Sequence, residues 1–242
     1  MAHLMIILLI CFLIFIHELG HFLAAKACGI PIARFSIGFG PVLYSKKIKG
    51  TYYCISAFPL GGYVMPDGIN ELTDLYRIPL MKRLFYTFGG PLSNILFAMF
   101  GFMLLNLLSG LNSFHYLVIE PIHQTWLVMN QIFSSLGLLF KHPDQLSGVV
   151  GIVSQGSEYV GMSLTKLINF GIFMSVNFAI FNLLPLPPLD GGSIMIYLFG
   201  RIHPKLLKLH IPFAVTGWVL LLGLMLYATV LDIGRISTGL TA

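Results

Sequence analysis

The sequence has few charged residues and few cysteines, and both shortages limit the kind of protein it encodes. Charged residues make up 10% of the 242 residues, whereas 57% are hydrophobic. Soluble domains typically carry about 25% charged residues, so a purely aqueous globule is not expected and the lipid bilayer becomes the expected environment. The three cysteines, Cys11, Cys28 and Cys54, are too few and too scattered for a disulfide framework or a thiolate zinc site.

Four long apolar segments predict membrane-spanning helices. A span needs about 20 mostly apolar residues, and residues 4–26, 84–108, 164–184 and 211–231 meet this requirement. The first segment has no basic n-region and no small-residue cleavage site, so we interpret it as a retained helix and not as a signal peptide. Residues 1–242 are therefore expected to form one membrane domain that is all-α apart from a β-rich insertion after the first helix.

Two segments between the spans have a different character. Residues 30–63 are rich in glycine, aromatic and β-branched residues, which predicts strands with hairpin turns, one of them near Lys49-Gly50. Non-helical backbone at membrane depth must line protein or a wet cavity, so this insertion is expected beside the first helix, where an edge near residues 55–63 could pair with an extended peptide. The alternative is a cytoplasmic hairpin that only connects helices. Residues 124–140 predict an amphipathic helix at the outer surface or packed against the bundle.

The distribution of basic residues predicts the topology. The net charge is +5, but Lys and Arg are dispersed over short loops and form no dense stripe, so a nucleic-acid partner is not expected. Eight of them, counting Lys26 at the end of the first predicted span, lie between the first two spans, and three lie between the last two. By the positive-inside rule both connections are cytoplasmic, which places both termini outside.

Ionisable residues inside predicted spans are costly and are therefore candidates for function. His17-Glu18-Leu19-Gly20-His21 matches H-E-x-x-H, which places two histidines one turn apart on one helical face with a carboxylate beside them. Two such imidazoles can bind one zinc ion while Glu18 acts as general base toward a water that the metal activates. Without a metal, two buried histidines and a glutamate would have to satisfy one another at a large desolvation cost.

Catalytic zinc usually has three protein ligands and one open position, so a third ligand is required. Asp190 is the best candidate, because it follows the third span in a stretch whose prolines prevent ordinary helix continuation. His17 lies toward the cytoplasmic end of the first span, and the third span runs in the direction that delivers Asp190 to the same level. Asp190 could instead cap a short helix at residues 193–199. The shared depth favours a site for one zinc ion per chain.

Three separated motifs resemble the site-2 protease family of intramembrane zinc metalloproteases. They are the H-E-x-x-H sequence, Gly90-Pro91-Leu-Ser-Asn94 at the start of the second span, and residues 182–192 after the third. Other segments, such as Phe35-Ser-Ile-Gly-Phe-Gly, are similar to the bacterial regulator-of-sigma-E protease branch. Members of that branch typically carry PDZ domains between the second and third spans, but only residues 109–129 stand in that place here. Filtering of substrates by such a domain is therefore not implied.

The resemblance implies an endopeptidase in which His17, His21 and Asp190 bind zinc and Glu18 is the catalytic base. The implied substrates are transmembrane segments of membrane proteins, with anti-sigma factors and remnant signal peptides as candidates. The implied location is the bacterial inner membrane, with the active site toward the cytoplasm. The residues expected to contact substrate or to lie close to it are Asn182, Asn94, Asn177, Gly61 and Gly62.

Three alternatives stay open from the residues alone. A scaffold that binds membrane helices without cutting them would have no need of Glu18. An ion-coupled transporter predicts inverted repeats, and none is visible in the sequence. Asn94 could also serve only as a polar residue that bonds neighbouring helices. The sequence does not predict the oligomeric state.

Overall fold

The computed structural model describes residues 1–68, 74, 77–141, 146–202 and 210–237. Helices dominate, and the two strands follow the first helix directly. The elements in chain order are α1 (Ala2–Ala27), β1 (Ile32–Ile48), β2 (Thr51–Pro66), α2 (Leu80–Leu108), a π-helical turn (His115–Ile119), α3 (Glu120–Lys141), α4 (Val149–Val160), α5 (Leu164–Leu183), α6 (Asp190–Ile202) and α7 (His210–Ser237).

The four predicted spans are confirmed as α1, α2, α5 and α7, each long and apolar enough to cross a membrane. The predicted fold class, a helical membrane protein with a β insertion after the first helix, is also confirmed. The helix α7 continues to Ser237, beyond residue 231, where the last span was predicted to end. The longer helix includes Asp232, an acidic residue that the predicted boundary left outside the span.

Small residues let α1 and α2 cross at close range. A Cβ atom on Gly89 would lie only 2.6 Å from the carbonyl oxygen of Gly20 and 2.6 Å from Cβ of Ala24. Ser93 Oγ, one turn along α2, donates a hydrogen bond of 2.8 Å to the carbonyl oxygen of Ile16 in α1. Lipid provides no hydrophobic force between helices, so close backbone approach and interhelical hydrogen bonds of this kind hold spans together. The crossing brings the polar end of α1 against the first half of α2.

The strands β1 and β2 pair antiparallel and are joined by Lys49 and Gly50. Both turn residues have positive φ angles, 49° and 90°, as a two-residue type I′ hairpin requires. The predicted strands and the predicted turn are thus confirmed.

Residues 34–37 of β1 pair with both ends of β2, so the two strands fold back and form a sheet of four adjacent segments. Side by side, the four segments follow the order 62–66, 34–37, 52–55 and 44–48. The segment 62–66 forms one outer edge and the segment 44–48 forms the other. Phe35 and Val64 pack with Ala25, Ile30 and Ile32 into a small core between the sheet and the end of α1.

The predicted amphipathic helix is α3, and it packs against the bundle. Ile132 is buried with Ile172 and Val176 of α5, whereas Trp126 and Phe133 on other sides of α3 stay largely exposed. The prediction that this helix packs against the bundle thus holds for one face of α3. The exposed aromatic residues leave its other face free to contact lipid.

Asp232 connects α7 to the start of α4. Its side chain is buried, and its Oδ2 atom accepts hydrogen bonds from the backbone nitrogens of Gly148 and Gly151 at 2.8 and 2.7 Å. The first N–H groups of a helix have no partners inside the helix, and Gly148 at the N-cap of α4 offers no side chain to accept them. The carboxylate from the neighbouring span therefore serves as the cap of α4.

Candidate metal centre

His17, His21 and Asp190 converge although α1 and α6 are far apart in sequence. Nε2 of His17 lies 3.0 Å from Oδ2 of Asp190 and 3.1 Å from Nε2 of His21. Nε2 of His21 lies 3.3 Å from the same carboxylate oxygen. Both histidines are buried. Three potential ligand atoms thus form a small triangle at the protein interior.

The sides of the triangle, 3.0 to 3.3 Å, are close to those that a tetrahedral zinc ion requires. Zinc binds imidazole nitrogen and carboxylate oxygen at about 2.0–2.1 Å, so neighbouring ligand atoms are about 3.3–3.4 Å apart. Hydrogen bonds alone explain the arrangement poorly, because each neutral imidazole carries only one ring proton and cannot satisfy every contact of the triangle. A cation satisfies all three contacts at once. The residues present therefore fit the metal that the H-E-x-x-H sequence predicts.

The outer nitrogens of both imidazoles also have neighbours that suit ligands of a metal. Nδ1 of His21 lies 2.9 Å from the carbonyl oxygen of Tyr86, to which it can donate. That bond leaves Nε2 free to bind a metal. Nδ1 of His17 lies 3.3 Å from the side-chain amide of Asn94, which is fully buried. Helix α2 therefore orients both histidine rings.

Gly90 explains how α2 can lie against the ligand atoms. A Cβ atom at this position would collide with Nε2 of His21 and lie 2.6 Å from Nε2 of His17. Only a residue without a side chain fits there. The Gly90-Pro91-Leu-Ser-Asn94 motif thus combines a close backbone approach with a polar neighbour one turn further on.

The loop between α5 and α6 delivers Asp190 to the histidines. Helix α5 ends at Leu183, and α6 begins at Asp190 itself, not at residue 193 as the capping alternative assumed. Cβ atoms on Gly191 and Gly192 would meet the backbone of the preceding loop, so both glycines allow the loop to fold back tightly. Burial alone would raise the pKa of the Asp190 carboxyl, but hydrogen bonds with His17 and His21 outweigh it and lower the pKa to about 2. The carboxylate is therefore available as a ligand at neutral pH.

A cavity of about 410 Å³ opens beside the triangle. Glu18 lines it next to the histidines, and Gly62 lies opposite, where a Cβ atom would be 2.7 Å from Cγ of Glu18. The edge of the sheet thus runs directly along the candidate base. The residues that line the cavity are His17, Glu18, His21, Gly62, Tyr63, Val64, Pro66, Tyr86, Thr87, Asn182, Pro188, Asp190, Ser193 and Tyr197.

The other candidate residues lie at different distances from this cavity. Asn182 lines it and donates from Nδ2 to the carbonyl oxygen of Phe178 at 2.9 Å, which leaves its Oδ1 atom as an acceptor. Gly61 packs against the ring of Phe39 and is not a lining residue. Asn177 donates to the carbonyl oxygen of Phe173 in its own helix and does not line the cavity either.

Sequence reasoning missed Tyr86 and the spacing role of Gly90. The carbonyl oxygen of Tyr86 faces His21, while its hydroxyl donates 2.9 Å to the carbonyl oxygen of Val64 at the sheet edge. Tyr86 therefore connects the metal triangle to the strand that borders the cavity. Its position four residues before Gly90, one helical turn away, was the signal that could have identified it.

Comparison with known proteins identifies the family of this chain. The profile of peptidase family M50 matches residues 5–226. A Campylobacter jejuni protein named as a zinc metalloprotease is 27% identical over 341 aligned positions, which cover 95% of this chain and 92% of the relative. Because the chain has 242 residues, at least 99 of those positions are residues that only the relative has. That surplus is the size of a small domain.

Other relatives match over a shorter region. A Helicobacter pylori protein named as a zinc metalloprotease is 44% identical over 98 residues, covering 36% of this chain and 28% of the relative. The regulator of sigma E protease of Haemophilus influenzae is 43% identical over 97 residues, covering 36% of this chain and 22% of that protein. The matched part is therefore less than a third of these two relatives. Since the family profile covers most of the chain, the protein belongs to peptidase family M50, the site-2 protease family, as a multi-pass bacterial membrane metalloendopeptidase.

Proposed function

We propose that this protein cleaves transmembrane segments of other membrane proteins, using one zinc ion per chain bound by His17, His21 and Asp190. The triangle of ligand atoms, with sides of 3.0 to 3.3 Å, is the observation that carries the proposal. Family membership favours peptide hydrolysis over the transport alternative. Residues 1–242 act in this proposal as one catalytic domain.

Zinc at this position would supply a Lewis acid that polarises the scissile carbonyl and increases the acidity of water. Glu18 lines the same cavity as the two histidines. Its carboxylate takes a proton from the attacking water and later donates it to the leaving amine. Tyr86 and Asn94 keep the imidazoles oriented during this reaction.

The substrate is proposed to bind in an extended conformation along the edge formed by residues 62–66. A helical substrate hides its carbonyl groups in its own hydrogen bonds, so it must unwind before cleavage. In a strand, backbone groups two residues apart point in the same direction. Since the carbonyl of Val64 faces Tyr86 beside the cavity, the backbone groups of Gly62 face the same side and can pair with the substrate. Pairing there places the substrate beside Glu18.

The remaining site residues contribute to substrate position in different ways. Asn182 lines the cavity, and its side-chain oxygen can accept a hydrogen bond from an unwound peptide. Gly61 supports the edge by packing on Phe39. Asn177 does not line the cavity, so it would have to contact a part of the substrate that extends beyond the cavity.

The proposed orientation follows the distribution of basic residues. Both termini lie outside, and the metal centre lies toward the cytoplasmic side of the bacterial inner membrane. One relative is a regulator of sigma E protease by name, which makes membrane-anchored anti-sigma factors the first substrate class to test. Remnant signal peptides are the second class.

The metal content of purified variants tests the ligand set. Wild-type protein and Glu18→Gln are expected to retain one zinc per chain, whereas Asp190→Ala loses it. Asn177→Ala is the matched control and should retain zinc. Full zinc content in Asp190→Ala, with no change in affinity, would show that another residue completes the site.

Cleavage of a transmembrane substrate that is reconstituted together with the protein in lipid vesicles tests the reaction. Wild-type protein is expected to cut it, and Glu18→Gln is expected to bind zinc without cutting. Stoichiometric zinc with no cleavage of either candidate substrate class by the wild type would favour the non-cleaving scaffold. Full activity of Glu18→Gln would refute the assigned base.

A further inference from the structure

The sheet edge formed by residues 44–48 is a second exposed surface, opposite to the edge that lines the cavity. We define the hairpin tip as residues 39–50, every one of which is exposed. Within the described part of the chain, the segment 44–48 has a partner strand on one side only, namely residues 51–55. Large apolar side chains project from the tip, and Leu43 and Tyr44 are 70% and 58% exposed.

The hairpin tip is also strongly basic. Lys46, Lys47 and Lys49 lie within four consecutive positions. The sequence between Glu18 and Asp67 contains no acidic residue, so no carboxylate of this stretch neutralises them. Lys47 lies with its Nζ atom 4.9 Å from the ring centre of Tyr52 across the hairpin. The tip therefore offers cations and aromatic rings side by side.

Neither water nor hydrocarbon suits such a surface. In water, a long apolar strand edge promotes aggregation. In hydrocarbon, lysines and unpaired backbone groups are costly. The headgroup region suits both kinds of group, because lysines can reach phosphates while aromatic and aliphatic side chains enter the upper acyl region. A protein with four spans necessarily holds this hairpin near a membrane.

We propose that the hairpin tip binds the headgroups of anionic phospholipids through Lys46, Lys47 and Lys49. A basic residue near an anionic membrane surface increases binding about fivefold. The charge of the tip selects anionic over zwitterionic headgroups, and the exposed apolar residues hold the tip at the interface. Because the tip and the cavity edge belong to one sheet, lipid binding at the tip would also fix the height of the cavity edge in the bilayer.

The test measures which lipid surrounds the tip of the full-length protein. A fluorescent non-natural amino acid replaces Leu43, and the protein is placed in nanodiscs of phosphatidylcholine and phosphatidylglycerol. The two lipids are present at equal mole fractions. In one sample phosphatidylcholine carries brominated acyl chains, which quench fluorescence on contact, and in the other sample phosphatidylglycerol carries them. We expect quenching by brominated phosphatidylglycerol to exceed that by brominated phosphatidylcholine at least about fivefold, which is the effect of one lysine at the surface.

Matched variants attribute the preference to the lysines. In K46Q/K47Q/K49Q the quenching ratio should fall to about one, whereas K46R/K47R/K49R should retain the preference because the charges remain. K141Q/K166Q, which removes lysines outside the hairpin, should have no effect. Equal quenching by both lipids in the unsubstituted protein, or an unchanged preference in the glutamine variant, would overturn the proposal. A third result would also overturn it: neither lipid quenches the fluorescence, and addition of a transmembrane peptide shifts it. The edge would then bind a protein strand.

Discussion

Replacing Asn94 by alanine is expected to weaken zinc binding about 10- to 100-fold without unfolding the protein. When Nε2 of His17 binds a metal, Nδ1 carries the ring proton and must donate it. The side-chain nitrogen of Asn94 faces Nδ1 at 3.3 Å, and its Oδ1 atom has no hydrogen-bond partner among the described residues. A half-turn of the amide exchanges these two atoms and supplies the acceptor that Nδ1 needs. Asn94 is therefore a positioning residue for His17.

The magnitude follows from the burial of this pair. Asn94 is fully buried, so alanine at this position leaves the N–H group of His17 without a partner. A buried unsatisfied donor costs about 1–3 kcal/mol, which corresponds to a factor of about 5 to 150 in affinity. The fold should survive, because Ser175 Oγ bonds the backbone carbonyl of Asn94 and not its side chain.

A competition titration with a chromogenic chelator in detergent measures the zinc affinity of each variant. Asn94→Asp should bind zinc nearly as tightly as wild type, since a carboxylate can also accept from Nδ1. Asn177→Ala is the control for loss of an asparagine from a span, because Asn177 bonds only its own helix among the described contacts. Zinc affinity of Asn94→Ala equal to that of wild type would refute the role of Asn94 in positioning His17.

Three further predictions concern the rest of the molecule. Gly90→Ala should lose zinc in a metal analysis, because its methyl group would occupy the space of the histidine ligand atoms. Gly137→Ala, with open space around it, is the control and should retain zinc. Equal zinc contents of the two variants would contradict the packing described at Gly90. Asp232→Ala should lower the free energy of unfolding by about 2–4 kcal/mol, because two charge-assisted hydrogen bonds to the start of α4 are lost, and an unchanged denaturation midpoint would refute this cap. Zinc affinity should fall as the pH is lowered, because protons compete with the metal for the nitrogens of His17 and His21. The pKa of Asp190 is lowered to about 2, so its carboxylate stays ionised well above that pH, and zinc affinity that stays constant down to about pH 2 would contradict the histidine assignment.

The metal triangle could be predicted from sequence because each of its parts follows from a local rule. The helical period fixes His17 and His21 on one face of α1. The prolines after α5 end that helix and expose Asp190 at a depth that the span direction determines. None of these steps requires knowledge of how the helices pack. The structure adds the distances, which support the proposal that the three residues share one ion.

The sheet could be predicted only in part, because strand pairing depends on contacts distant in sequence. The turn at Lys49-Gly50 has a local signature, and it was predicted. The folding back of residues 34–37 between both ends of β2 has none. For this reason Gly61 and Gly62 were indistinguishable in sequence, although only Gly62 lines the cavity.

Asp232 shows a different limit of sequence reasoning. Its carboxylate is an ionisable group in the last span, which by itself indicates a specific role. The predicted end of that span excluded it, since helix ends are poorly marked when apolar residues thin out gradually. Its partners, the backbone nitrogens of Gly148 and Gly151, leave no mark in the sequence other than two glycines. A cap supplied by another helix is a tertiary feature, and propensity alone does not reveal it.

The metal centre also has a consequence for stability that follows from its construction. Its ligands come from α1 and α6, its orienting groups from α2, and the cavity beside it is closed by the edge of the sheet. A bound zinc ion would link α1 directly to α6, and metal binding to a folded site stabilises that fold by mass action. The close approach of α2 at Gly90 and the tight loop at Gly191 and Gly192 are both needed to form the triangle. Small residues thus let the helices approach in lipid and also build the site, so packing and catalysis together constrain where small residues stand.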